Sequence, residues 1–158
     1  MGKVHGRLAD GLSLYVRQMA WLNAVPKPPP GTKRAELAAQ GKLPPALSRI
    51  DQLKADKVEP AMPPNPAPLI INRLIEIGLT DVAGMGAVPL GWGTILHWSQ
   101  VTGVRLPPWE ARLLRRLSTD YLAEGRRAEA ESCPAPWAAP MTQAELEADE
   151  ARTRALLG

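Results

Sequence analysis

The sequence contains no phenylalanine, and aromatic residues of all kinds make up only 4% of its 158 positions. Runs of β-branched residues are scarce as well, so a fold built on a sheet is not expected. The single cysteine, Cys133, excludes an intramolecular disulfide and fits a reducing compartment. No apolar run approaches the length of a membrane span, and the N-terminus lacks the apolar segment of a signal peptide. We therefore expect a soluble cytosolic protein with no membrane association.

Residues that carry out catalysis or bind metals are also few. The only histidines, His5 and His97, cannot form a metal-ligand set with one cysteine, and no nucleophile, acid and base recur at catalytic spacing. The glycine-rich stretch "GMGAVPLGWG" does not complete a dinucleotide-binding fingerprint, because Pro89 stands where the third glycine is needed. We predict that the protein is not an enzyme and has no catalytic residue, cofactor or metal site.

Proline is abundant, with 17 residues, and it divides the chain. Proline lacks a backbone donor and restricts the residue before it, so "VPKPPPG" and "VEPAMPPNPAP" must interrupt helices. We predict an N-terminal helix with a proline-rich linker region over residues 1–67 and a compact helical core domain over residues 68–130. Residues 131–158 are predicted to form a proline-rich joint and a C-terminal helix, which opens with the capping box of Thr142 and Glu145.

Three segments of the central region have the apolar pattern of core helices. "LIINRLIEIGL" is apolar nearly all round, which predicts a helix buried on most sides. The next segment, "LGWGTILHWSQVTG", places Trp92, Ile95 and Leu96 on one face. In the third, residues 104–127, leucines and arginines lie on opposite faces. The predicted fold is all-α, a small three-helix core over residues 68–128 with proline-linked peripheral helices at both ends.

The arginines of the third segment raise the alternative of nucleic-acid binding. A helix, a short turn and an arginine-bearing helix have the outline of a helix-turn-helix. However, Pro107 and Pro108 lengthen the turn, and acidic residues such as Asp120 and Glu124 dilute the positive field. We expect these acids to form solvated pairs on an exposed flank, and the arginines to keep that face in water. The arginines concerned are Arg112, Arg115, Arg116, Arg126 and Arg127.

Charge is distributed unevenly along the chain. Residues 1–60 hold ten basic and five acidic side chains, whereas residues 129–158 hold two basic and six acidic ones. This polarity favours head-to-tail self-association or binding of an acidic partner, and it is too mild to indicate nucleic acid.

Three of the five tryptophans lie where a core residue is not expected, whereas a fourth, Trp109, falls on the apolar face of its helix and could equally be a core residue. Trp21 falls on the polar side of the first helix, and Trp98 lies away from the apolar face of the second core helix. Trp109 lies at the start of the third core helix and Trp137 lies in the proline-rich joint. Large aromatic side chains of this kind are typical anchors for a protein partner. We predict that Trp21, Trp98, Trp109 and Trp137 form the partner-binding residues.

The stretch "PLGWGTILHWSQVTGVRLPPWEARLLRRLSTDYLAE", residues 89–124, resembles the tail assembly chaperones encoded in tail-gene clusters of long-tailed bacteriophages and prophages. The resemblance lies in a Pro-Leu-x-Trp turn into a helix that ends in Thr-Gly, followed by a Pro-Trp-Glu-x-x-x-Leu-x-x-Leu-Ser helix containing Tyr-Leu. It covers about a quarter of the chain. The residues that match are Pro89, Leu90, Trp92, Trp98, Thr102, Gly103, Pro108, Trp109, Glu110, Leu114, Leu117, Ser118, Tyr121 and Leu122.

The resemblance implies a non-enzymatic protein of the host bacterial cytoplasm. Such a protein would bind the tape-measure protein, shield its apolar helical segments and promote assembly of tail-tube subunits, the major tail protein, around it. A structural virion protein, either a head-tail joining or a minor tail subunit, is the alternative function. It would differ by staying in the finished particle.

Overall fold

The computed structural model describes residues 2–158 and is all-α apart from one short hairpin, which confirms the predicted class. No helix in that range is both long and apolar enough to cross a membrane. In chain order the elements are α1 Gly2–Asn23, α2 Lys33–Ala39, α3 Arg49–Ala55, α4 Pro68–Ile77, β1 Asp81–Ala83, β2 Gly86–Val88, α5 Trp92–Thr102, α6 Pro108–Arg127 and α7 Gln143–Leu157.

The core is built from four helices and not from three, because α1 packs along α6. Leu12 and Val16, one turn apart on α1, are fully buried in the same cluster as Leu114 and Leu117 of α6. A core of about sixty residues buries too little apolar surface for firm stability, and α1 supplies the missing face. The prediction of a core confined to residues 68–128 is therefore corrected. The remaining members of the cluster are Ile70, Ile71, Leu74, Leu90, Ile95 and Leu113.

Helix α4 is buried on one side only, contrary to the prediction. Ile70, Ile71 and Leu74 lie in the core, whereas Leu69 and Ile75 are exposed. The reason is position: α4 packs against α5 and α6 on its inner side, and no other helix covers its outer side.

The segment between α4 and α5 forms a two-stranded antiparallel hairpin. Strand β1 pairs with β2 in the register Asp81 to Val88 and Ala83 to Gly86. Gly84 turns the chain with a φ of +59°, a conformation that costs glycine little and other residues more.

One hydroxyl group fixes both ends of this hairpin to α6. The buried Ser118 Oγ donates a hydrogen bond to the carbonyl oxygen of Leu79 at 2.6 Å and accepts one from the amide of Leu90 at 2.9 Å. Leu79 precedes β1 and Leu90 follows β2. The hairpin is therefore held at its base, and α5 starts from a fixed point.

The start of α5 is capped by a side chain from outside the helix. Its N-cap residue, Gly91, has no side chain to offer. The Asp81 carboxylate instead accepts hydrogen bonds from the amide of Gly91 at 2.7 Å and from Thr94 Oγ1 at 2.9 Å. A carboxylate at a helix N-terminus satisfies free amides and complements the helix dipole.

Arg49 of α3 joins the C-terminal ends of α1 and α6. Its guanidinium donates to the carbonyl oxygens of Trp21, Ala128 and Ala130 at 3.1, 2.6 and 3.0 Å, and it lies 4.5 Å from the centre of the Trp21 ring. Partial burial lowers the pKa of Arg49 below its usual value, but the carbonyls at the negative ends of two helices favour the cation.

Helix α7 stands apart from the rest of the molecule. It has the predicted capping box, in which Thr142 and Glu145 each accept a hydrogen bond from the other's backbone amide. All of its side chains are exposed. The hydrogen bond from the Thr142 amide lowers the pKa of Glu145, which keeps the cap charged.

We expect Ser118→Ala to destabilise the protein by about 1–3 kcal/mol, because it leaves a buried carbonyl and a buried amide without partners. The free energy of unfolding in urea measures this loss. The adjacent Thr119→Ala is the control, since Thr119 is exposed and its hydroxyl bonds only to Arg115 of its own helix. Equal losses for the two variants would contradict the assignment of Ser118.

Candidate protein-binding surface

Residues 68–104 contain few charged side chains, and most of these are bound by other groups of the molecule. The charged residues in this range are Arg73, Glu76 and Asp81. Arg73 Nη1 donates to the buried carboxylate of Glu110 at 2.5 Å, and Asp81 caps α5. Within residues 2–158 only Glu76 of the three has neither an ion pair nor a side-chain hydrogen bond.

Helix α5 contains no charged residue and buries one side chain, Ile95. Trp92 is 50% exposed, Leu96 54% and Val101 87%. The hairpin beside it exposes Val82 and Met85 as well. We call the exposed apolar side chains of α5 and the hairpin the α5 surface: Val82, Met85, Trp92, Leu96 and Val101, with Trp92 and Leu96 on one side of the helix and Val101 on the other.

The orientation of α5 differs from the prediction that Trp92 and Leu96 point into the core with Ile95. Trp98, predicted as exposed, is half-buried, and its indole nitrogen is enclosed without a hydrogen-bond partner in the described chain. Helix α5 is thus rotated so that Ile95 and Trp98, three residues apart, turn inward. Trp92 takes the exposed position that was assigned to Trp98.

Trp92 is held in place from α6. The guanidinium of Arg115 lies 4.5 Å from the centre of its ring, and Arg115 Nε donates to the carbonyl oxygen of Leu90 at 3.1 Å. A half-exposed aromatic ring with a fixed orientation loses little side-chain entropy on binding. Trp92 was not among the predicted partner-binding residues, although the absence of any charge in α5 can be read from the sequence.

Trp21 and Trp137 attach the proline-rich joint to α1. The indole nitrogen of Trp21 donates to the carbonyl oxygen of Cys133 at 2.8 Å, and the backbone amide of Trp137 donates to Gln18 Oε1 at 3.1 Å. Both tryptophans are half-buried. Trp21 also lines a cavity of about 420 Å³, together with Leu47 and other residues. Their contacts within the chain give both residues a structural role.

Trp109 is the most exposed of the four predicted anchors, at 43%. Its ring lies 5.4 Å from that of His5, and the two side chains line a groove between the first turns of α1 and α6. The four tryptophans therefore do not form one site. Trp21 and Trp137 lie at the joint, Trp98 lies on the inner side of α5, and Trp109 lies at this groove.

The arginines of α6 are mostly bound within the molecule and not free in solvent. Besides Arg115, Arg126 donates to the carbonyl oxygen of Ala87 in the hairpin at 3.0 Å, and Arg116 pairs with Asp10 of α1 at 3.1 Å. Among residues 2–158, Arg112 alone of the five has no ion pair or hydrogen bond.

The acidic residues of α6 correct the expectation of solvated pairs. Glu124 is buried, lies 3.8 Å from Arg17 of α1 and forms a short ion pair with Arg127. Asp120 accepts a hydrogen bond from Ser13 Oγ of α1 at 2.7 Å. Helix α1 covers this flank of α6, so charges that look free in the sequence are part of the helix contact.

Comparison with family models, with curated proteins and with solved structures gives no match to this chain. Within residues 2–158 no group of histidine, cysteine, aspartate and glutamate side chains is placed to hold a metal ion. The α5 surface is thus identified by its burial and charge alone.

We expect Leu96→Asp to change the free energy of unfolding by less than about 1 kcal/mol, because this side chain lies outside the core. Ile95→Asp on the same helix should cost about 3 kcal/mol or more, since it buries an unpaired carboxylate. Urea unfolding of both variants measures the difference. Similar losses at the two positions would show that α5 is oriented differently.

Proposed function

We propose that the protein is a non-catalytic tail assembly chaperone that binds the tape-measure protein through the α5 surface. The observation that carries this proposal is helix α5 itself, which has no charge, buries only Ile95 and exposes Trp92 and Leu96 on one face. Exposed apolar surface of this kind marks sites of protein interaction. The resemblance of residues 89–124 to tail assembly chaperones supplies the identity of the partner.

The chemistry of the surface suits an apolar helical segment. A tape-measure protein is a long helical chain, and its apolar stripes would associate with one another if they stayed exposed. Packing such a stripe against α5 removes apolar area from water on both sides, and no charge on α5 has to lose its hydration. Trp92, oriented by Arg115, would serve as the anchor.

The small size of the surface fits a partner that must be released. Stable complexes bury roughly 800 Å² on each partner, more than five side chains of one helix and a hairpin tip can supply. Binding through this surface alone would be weak enough for tube subunits to displace the protein from the tape measure.

The arginines of α6 do not support the nucleic-acid alternative. A phosphate-binding surface needs free cations, and four of these five arginines already contact carboxylates, carbonyl oxygens or an aromatic ring. The structural virion protein is kept as an outcome of the experiment below.

Co-expression with the tape-measure gene of the same cluster tests the proposal. We expect the tape-measure protein to become soluble and to co-purify with this protein. Leu96→Glu should weaken the complex at least about tenfold, which corresponds to about 1.4 kcal/mol. The matched control is Val58→Glu, because Val58 is 51% exposed but lies outside α5.

Two results would contradict the proposal. One is tape-measure protein that is equally soluble with and without this protein. The other is Leu96→Glu protein that binds as well as the Val58→Glu control. Recovery of the protein in finished particles would instead support the structural virion subunit.

A further inference from the structure

Helix α7 exposes two leucines on one face, Leu146 and Leu157, and nothing within residues 2–158 covers them. Leu146, Glu150, Thr153 and Leu157 follow one another at spacings of four, three and four residues, so they share one face. All are exposed. A helix of about fifteen residues is marginal in water when it packs against nothing. The helix would therefore gain stability if this face packed against another surface.

The same helix carries a net negative charge. It holds Glu145, Glu147, Asp149 and Glu150 against two arginines near its C-terminal end. Those two arginines form only exposed pairs with Asp149 and Glu150, which neutralise little charge in solvent. A surface for α7 should thus offer apolar contacts to the two leucines and a basic side chain to Glu150, which lies between them on the same face.

The groove between the first turns of α1 and α6 has this character. It has a volume of about 270 Å³, with an apolar floor of Leu8, Ala9 and Leu113 beside the ring of Trp109. Arg112 and Arg116 stand at its edge, and no acidic residue lines it. Arg112 has no ion-pair partner within residues 2–158, so its charge is available.

We propose that α7 of one copy docks into this groove on a second copy. Leu146 and Leu157 of α7 would pack at the apolar floor, and Glu150 between them would face Arg112. The chain shows the same complementarity on a larger scale, since residues 1–60 carry an excess of basic side chains and residues 129–158 an excess of acidic ones.

The occupant is a second copy because the chain directs its own α7 elsewhere. The joint before α7 is fixed to the C-terminal half of α1, through Trp21 to Cys133 and through Gln18 to Trp137. The groove lies at the opposite end of α1. From this attachment α7 extends outward and buries none of its residues against its own chain.

This contact joins two different surfaces, so it is head-to-tail. In a pair, the copy that inserts its α7 keeps an empty groove, and the copy that supplies the groove keeps an unbound α7. Further copies can therefore bind at both ends until the assembly closes into a ring. None of the groove residues belongs to the α5 surface, so the proposed function does not depend on this assembly.

Light scattering of the purified chain tests the proposal. We expect the mass to rise above the 17.1 kDa of one chain as the protein concentration increases, and to fall again at high salt. Arg112→Glu, in the groove, and the double variant Leu146→Asp/Leu157→Asp, in α7, should each weaken association at least about tenfold. Arg7→Glu makes the same charge change outside the groove and should associate like the wild type.

Mixing the two variants distinguishes head-to-tail docking from any other association. The Arg112→Glu protein keeps an intact α7 and the double variant keeps an intact groove, so together they should form a dimer that grows no further. A wild-type mass of one chain at every concentration would overturn the proposal, and so would a mixture without dimers. If the wild type is monomeric and the double variant is less stable than the wild type, α7 docks into the groove of its own chain.

Discussion

The packing of α1 along α6 is the contact on which the rest of the structure depends. Leu12 and Val16 complete the core that the central helices leave open. The same contact buries Glu124 between Arg17 and Arg127, and brings His5 beside Trp109. On the same side, Arg116 of α6 pairs with Asp10 of α1.

With α1 in the core, α5 is left at the edge with only its inner side covered. Ser118 and Asp81 fix its start from two directions, through the hairpin base and through the helix cap. The helix is therefore held firmly while its uncharged outer side stays open. An uncharged helix face that is held in place is the physical basis of the proposed chaperone function.

The core helices and α7 could be predicted from the sequence, because they depend on local signals, whereas the hairpin was not predicted. Apolar periodicity gave α1 and α6, and the capping box of Thr142 and Glu145 gave the start of α7. The features that could not be predicted depend on contacts between elements that are distant in the sequence. Helix α5 has no charged residue to mark its outer side, so the prediction gave Trp92 the inward position and Trp98 the exposed one, the reverse of the structure. The burial of Glu124 depends on the packing of α1 against α6.

The most direct measurement is photo-crosslinking from a reactive amino acid placed at Leu96, in cells that express the whole tail-gene cluster. The same group at Val58 provides the background. The account predicts a crosslink from position 96 to the tape-measure protein and none from position 58. Crosslinks of equal strength from both positions, or a crosslink from position 96 only to other proteins, would contradict the assignment of the α5 surface.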